Sequence, residues 1–73
     1  MYVIYQIQIT EAKYAIDGKR HKHKRYLYPI PDTLRDLNVT SCWSRGKKGA
    51  LRFYSRGQAQ ITARKVGGKV EEA

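Results

Sequence analysis

The chain has 73 residues, 15 Lys and Arg against 6 Asp and Glu, a formal net charge of +9 and 41% hydrophobic residues. A chain this short buries only roughly 60% of the surface it exposes when unfolded, which predicts a single domain and excludes a deep catalytic cleft between two domains. No run approaches the roughly 20 apolar residues that span a bilayer, and the lone Cys42 excludes an internal disulfide and zinc-finger spacing.

Met1 to Thr10 opens the chain with Val3, Tyr5, Ile7 and Ile9 on one parity and Tyr2, Ile4, Gln6, Gln8 and Thr10 on the other. That alternation predicts a strand with one apolar face. The same stretch lacks a basic leader and a small-residue cleavage site, so it is not expected to act as a signal peptide, and a cytoplasmic location is expected. Ala12 to Asp17 and Arg20 to Tyr28 flank Asp17-Gly18-Lys19, and Asp-Gly predicts a hairpin between two arms because both residues tolerate positive φ. The second arm ends at Pro29. Pro31 to Leu37 then reads as a short helical turn, with proline at its start and Leu34 and Leu37 three apart. A strand over Asn38 to Ser44 and a turn at Gly46-Lys47-Lys48-Gly49 follow.

The segment after Ser55 fits two patterns. Gln58 to Ala63 alternates as a strand would. Against this, Ser55 and Gln58 have the spacing of a capping box, Ala59, Thr62, Ala63 and Val66 share one helical face, and Gly67-Gly68 supplies a left-handed end. The signals at both ends favour a helix, with Ile61 outside its apolar stripe and a short strand at Lys69 to Glu72. The expected fold is α+β: a small single domain with an antiparallel sheet of three to four strands, one C-terminal helix and a short helical turn.

Charge is distributed unevenly along this framework. Residues 1 to 37 mix Lys13, Lys19, Arg20, Lys22, Lys24, Arg25 and Arg35 with Glu11, Asp17, Asp32 and Asp36. Residues 38 to 70 carry Arg45, Lys47, Lys48, Arg52, Arg56, Arg64, Lys65 and Lys69 and no acid, before Glu71 and Glu72 close the chain. Protein surfaces ordinarily mix both signs, so an acid-free stretch of this length points to a polyanionic partner.

Two clusters are candidate contacts. In the run from Lys19 to Tyr28, Arg20, Lys22, Lys24, Tyr26 and Tyr28 fall on one strand face, and Lys19, His21, His23, Arg25 and Leu27 on the other. Cations at every second residue can neutralise successive phosphates, and Tyr26 and Tyr28 could stack on bases. The competing reading is an edge strand protected by its cations, with the tyrosines in the core. The second cluster is Arg45, Lys47, Lys48, Arg52, Arg56 and Arg64, with Trp43 and Tyr54 interleaved. A helix starting at Arg56 would present free amides at Arg56 to Gln58 to a phosphate beneath the Gly46 to Gly49 turn. Trp43 is expected in the core, because so small a domain has few other large residues to bury.

The pair His21 and His23 would share a strand face, but Lys19 and Arg25 flank them and would repel a dication, so no metal is expected. No cofactor motif, Walker loop or nucleophile elbow occurs, and Cys42 has no histidine near it in sequence. The chain is expected to be non-enzymatic.

Trp43-Ser44, Ala50-Leu51-Arg52-Phe53-Tyr54-Ser55-Arg56, Ala59, Ala63 and Gly67-Gly68 together resemble the C-terminal half of small uncharacterised phage and prophage open reading frames. The resemblance covers about residues 43 to 68. It implies the topology of that half and a mobile-element origin, and no activity. Two functions remain open: a nucleic-acid-binding module for DNA or RNA, acting as an accessory or regulatory protein of a phage or mobile element, and a phage-type inhibitor whose basic face docks on an acidic host protein surface. No membrane partner is expected, and the edge of the first strand offers a contact for a homodimer.

Overall fold

The computed structural model describes residues 1–73, apart from the side chain of Arg35. The elements in chain order are β1 (Tyr2–Thr10), a 3-10 turn (Ala12–Tyr14), β2 (His21–Tyr28), α1 (Asp32–Arg35), β3 (Cys42–Ser44), α2 (Arg56–Val66) and β4 (Lys69–Glu72). The four strands form one antiparallel sheet in the order β3-β2-β1-β4. This is the small α+β domain expected.

The uncharged, alternating β1 takes a central position. Its inner half, Tyr2 to Tyr5, pairs with β4, and its run from Tyr5 to Thr10 pairs with β2. Where that pairing with β2 stops, Phe53 exchanges two backbone hydrogen bonds of 2.8 Å with Tyr2. The sheet therefore has two apolar clusters, one on each face. Val3, Tyr26 and Ala50 are buried on one side, with Tyr5 and Tyr28 against them. Ile4, Leu27 and Ala63 are buried on the other, with Trp43, Leu51, Phe53, Val66 and Val70 around them.

α2 lies on the Ile4 face. Its buried residues are Ala59 and Ala63, whose short side chains let the helix approach the sheet closely. Ser55 caps it by accepting from the Gln58 amide at 3.4 Å, and Gly67, at φ 72°, ends it in the left-handed conformation. Gly68 then passes directly over the core, where a Cβ would lie 2.7 Å from Ile4 Cγ2 and 3.0 Å from the Tyr5 carbonyl oxygen. Only glycine lets the chain turn straight from the helix into β4.

Three sequence expectations change. Ala12 to Asp17 is not a hairpin arm: β2 pairs with β1 itself, and Glu11 to Arg20 forms a longer connection. Asp17 and Gly18 still turn the chain, with Gly18 at φ 69° and the Lys19 amide donating to Asp17 Oδ1. The third strand is confined to Cys42–Ser44, which pairs with Tyr26 to Tyr28: β2 ends before Pro29 on one side, and on the other the chain leaves the sheet for the turn at Gly46 to Gly49. The first strand is not a sheet edge along its whole length, since β4 occupies the Tyr2 to Tyr5 half.

Candidate nucleic-acid interface

The register of β1 against β2 sets the direction of every cation on the second strand. Lys24 lies opposite Ile7 and Lys22 opposite Ile9 on the open face, while His21, His23 and Arg25 share the face that carries α2. Lys19 and Arg20 precede the strand, and the Arg20 guanidinium is 3.9 Å from Glu11.

On the open face, Glu71 collects the positive charge. Lys24 Nζ lies 2.5 Å from Glu71 Oε1 and Lys47 Nζ 3.2 Å from Oε2, and the Tyr26 hydroxyl donates to the same Oε2 at 3.2 Å. The hydrogen bond from Lys24, followed by those from Lys47 and Tyr26, holds the Glu71 carboxyl below its ordinary pKa. That same hydrogen bond raises the pKa of Lys24, whose ammonium also sits 4.6 Å from the Tyr5 ring centroid.

The expected base-stacking tyrosines are core residues. Tyr26 is 8% exposed and packs with Val3 and Ala50. Tyr28 donates its hydroxyl to the Gly46 carbonyl, and the turn at Gly49 lies against its ring. The Gly46 to Gly49 turn therefore covers Tyr28 and does not fold over the start of α2, which lies across the sheet. Trp43 is half-buried beside Ile4 and Leu27, as expected of a core residue.

Arg25 also faces inward. Its Nη2 donates to Gln6 Oε1 at 3.0 Å and its guanidinium lies 5.8 Å from the Trp43 ring. Gln6 in turn donates to the Val66 and Gly67 carbonyls at the end of α2. The Arg25 charge thus sits near the negative end of the helix dipole, where a cation is stabilising.

The cations of the C-terminal half divide among several places. Arg56, Gln60 and Arg64 follow one another along α2 and, with Ala63, Gly68, Lys69 and Val70, line a groove of about 370 Å³ between the helix and β4. No carboxylate belongs to that lining, although Glu71 and Glu72 line a smaller adjoining hollow with Arg56. Among the described residues, no ion pair engages Arg56, Arg64 or Lys69. Tyr54, just before the helix, is 83% exposed. The amide of Gln58 is taken by the Ser55 cap, so the start of α2 offers fewer amides to an anion than the sequence implied.

Arg45 joins His21, His23 and Asp17 around a second groove of about 400 Å³ at the far end of the sheet. The imidazoles stack with centroids 6.0 Å apart. His21 Nε2 lies 2.9 Å from the Asp17 carboxylate, and this hydrogen bond is the main reason the Asp17 pKa is lowered. Arg52 donates to the Lys48 carbonyl at 3.0 Å, keeping those two together.

Lys69 lies outside the set expected from sequence. Its proximity to Arg64 follows from the Gly67-Gly68 reversal, which returns the chain alongside the helix it has just left. No protein family, curated protein or solved structure matches the chain. Among the described residues no helix is long and apolar enough to cross a membrane.

Proposed function

We propose that this protein is a small, non-enzymatic nucleic-acid-binding module that holds the phosphate backbone along the α2–β4 groove. The observation that carries this reading is the line of Arg56, Arg64 and Lys69 along a groove with no carboxylate in its lining. Three exposed cations beside an open channel can replace the counterions of successive phosphates. Gln60 adds a neutral donor between the two arginines, and the exposed Tyr54 ring, two residues before Arg56, supplies a face on which a base can stack. Lys22 and the exposed members of the Lys48 and Arg52 cluster add to the surrounding field, which steers a polyanion toward the domain. Such a module suits an accessory or regulatory protein of a phage or mobile element, acting in the host cytoplasm.

A fluorescence-anisotropy titration with single-stranded and duplex DNA and RNA, from about 50 to 300 mM salt, tests the reading. Binding should weaken linearly in log affinity against log salt, and single strands should bind more tightly than duplex of the same length. If none of the four binds below about 10 μM at the lowest salt, where even nonspecific association appears, the nucleic-acid reading fails. The basic surface would then be left to an acidic protein.

A further inference from the structure

We propose that the outer half of β1, Gln6 to Thr10, is the contact through which two copies of this chain form a continuous sheet. β4 covers β1 only from Tyr2 to Tyr5, so the strand edge beyond has no strand partner among the described residues, with only the Gly67 to Lys69 turn beside it at Gln6 and Ile7. Exposed edges are ordinarily blunted by lysines, prolines or bulges that discourage pairing. This one carries none of them: residues 1 to 10 contain no charged side chain and no proline, in a chain of net charge +9. On its open face Ile7 and Ile9 are 49% and 42% exposed.

The pattern is self-complementary about Gln8. An antiparallel second copy centred there places Ile7 opposite Ile9 of the second copy on one face, and Gln6 opposite Thr10 of the second copy on the other. Apolar meets apolar, polar meets polar, and Gln8 meets itself on the two-fold axis. A foreign strand would need to supply this same order, whereas a second copy has it by construction. The other open edges all carry charge: β3 is only three residues long and runs into Arg45, the part of β2 that β3 leaves uncovered holds Lys22, Lys24 and Arg25, and the outer edge of β4 holds Lys69, Glu71 and Glu72.

Five residues a side make a contact below the usual size of a stable interface, so the dimer is concentration-dependent. Two chains of +9 repel each other, and salt that screens the repulsion strengthens the contact. Nucleic-acid binding weakens over the same range, so the two proposals stand or fall separately.

Sedimentation equilibrium on the full chain in about 500 mM salt, from about 10 to 1000 μM, should show the mass doubling as concentration rises. Ile7→Glu combined with Ile9→Glu should raise the dissociation constant at least tenfold. Both carboxylates face Lys24 and Lys22 across the strand pair, so the fold is retained, which far-UV circular dichroism verifies. Ile61→Glu, at a residue 57% exposed on α2, should leave dimerisation unchanged. In a Cys42→Ser background, Gln8→Cys should cross-link on oxidation faster than Tyr54→Cys. A monomer at every concentration, equal loss with Ile61→Glu, or cross-linking no faster at Gln8 than at Tyr54 would each overturn the proposal.

Discussion

On the open face of the sheet Lys24 and Lys47 converge on Glu71, whereas across the sheet Arg56, Arg64 and Lys69 border a groove lined without a carboxylate. The side chains are of the same kind, and their availability differs. A lysine already hydrogen-bonded to a carboxylate must give up that partner before it can take a phosphate, which offsets much of what the new contact gains. An arginine with no such partner exchanges only water and counterions. The difference teaches that a count of cations overstates the binding surface of a basic protein, and that the position of its few acids identifies the part left open.

The most severe way to break the contrast is to remove the groove charges. Arg56→Ala, Arg64→Ala and Lys69→Ala together should weaken nucleic-acid binding at least about tenfold near 100 mM salt and lower the salt slope by about 2 for single strands and about 3 for duplex. Lys22→Ala with Lys24→Ala should cost distinctly less in the same titration. Equal losses would mean that the charge acts diffusely.

Gly68→Ala strikes both regions at once, because β4 carries Lys69 to the groove and Glu71 to the sheet face. The added methyl meets Ile4 and the Tyr5 carbonyl, and overpacking of this kind should destabilise the fold by about 1–3 kcal/mol in denaturant unfolding. An unchanged midpoint would show that the backbone gives way at no cost.

Glu71→Gln sharpens the contrast from the other side. With its counter-charge gone, the open face should bind nucleic acid more tightly, by about threefold if one further phosphate contact forms. Loss of the exposed pairing should lower stability by less than about 1 kcal/mol.

The smallest effect concerns pH. Because the Glu71 pKa is lowered on folding, its contribution to stability is complete at neutral pH and is lost as pH falls below about 4. Lys24, whose pKa is raised, contributes fully at neutral pH and loses its part only in strongly alkaline solution. Thermal melts should therefore decline more steeply on the acid limb for the natural chain than for Glu71→Gln.

The elements were legible where local chemistry sufficed. Alternation in β1, the Ser55 cap and the Gly67-Gly68 end of α2 are interactions between residues a few positions apart, and the structure contains all three. The failures lay in pairing. Asp17-Gly18 marks a turn correctly, but a turn signal does not say which strands it joins, and Ala12 to Asp17 lost its place in the sheet to the more apolar β1. Tyr26 and Tyr28 lie on one face of β2 as the alternation required, yet alternation cannot tell which face is covered. Ala50 and the Gly46 to Gly49 turn cover it. Among the candidate contacts, Arg56 and Arg64 could be aligned from helical spacing alone. Lys69 could not be added to them, because its position depends on how closely Gly68 lets β4 return to the sheet.

From its residues alone this chain specifies a small α+β domain, a strong positive charge and an acid-free C-terminal half, since propensity, caps and composition are local or additive properties. Which cations stay open, which tyrosines are buried and which half of β1 is left without a strand partner were decided only by the tertiary structure. Those outcomes depend on contacts between distant segments, Glu71 with Lys24 above all, and on the short reach of β4.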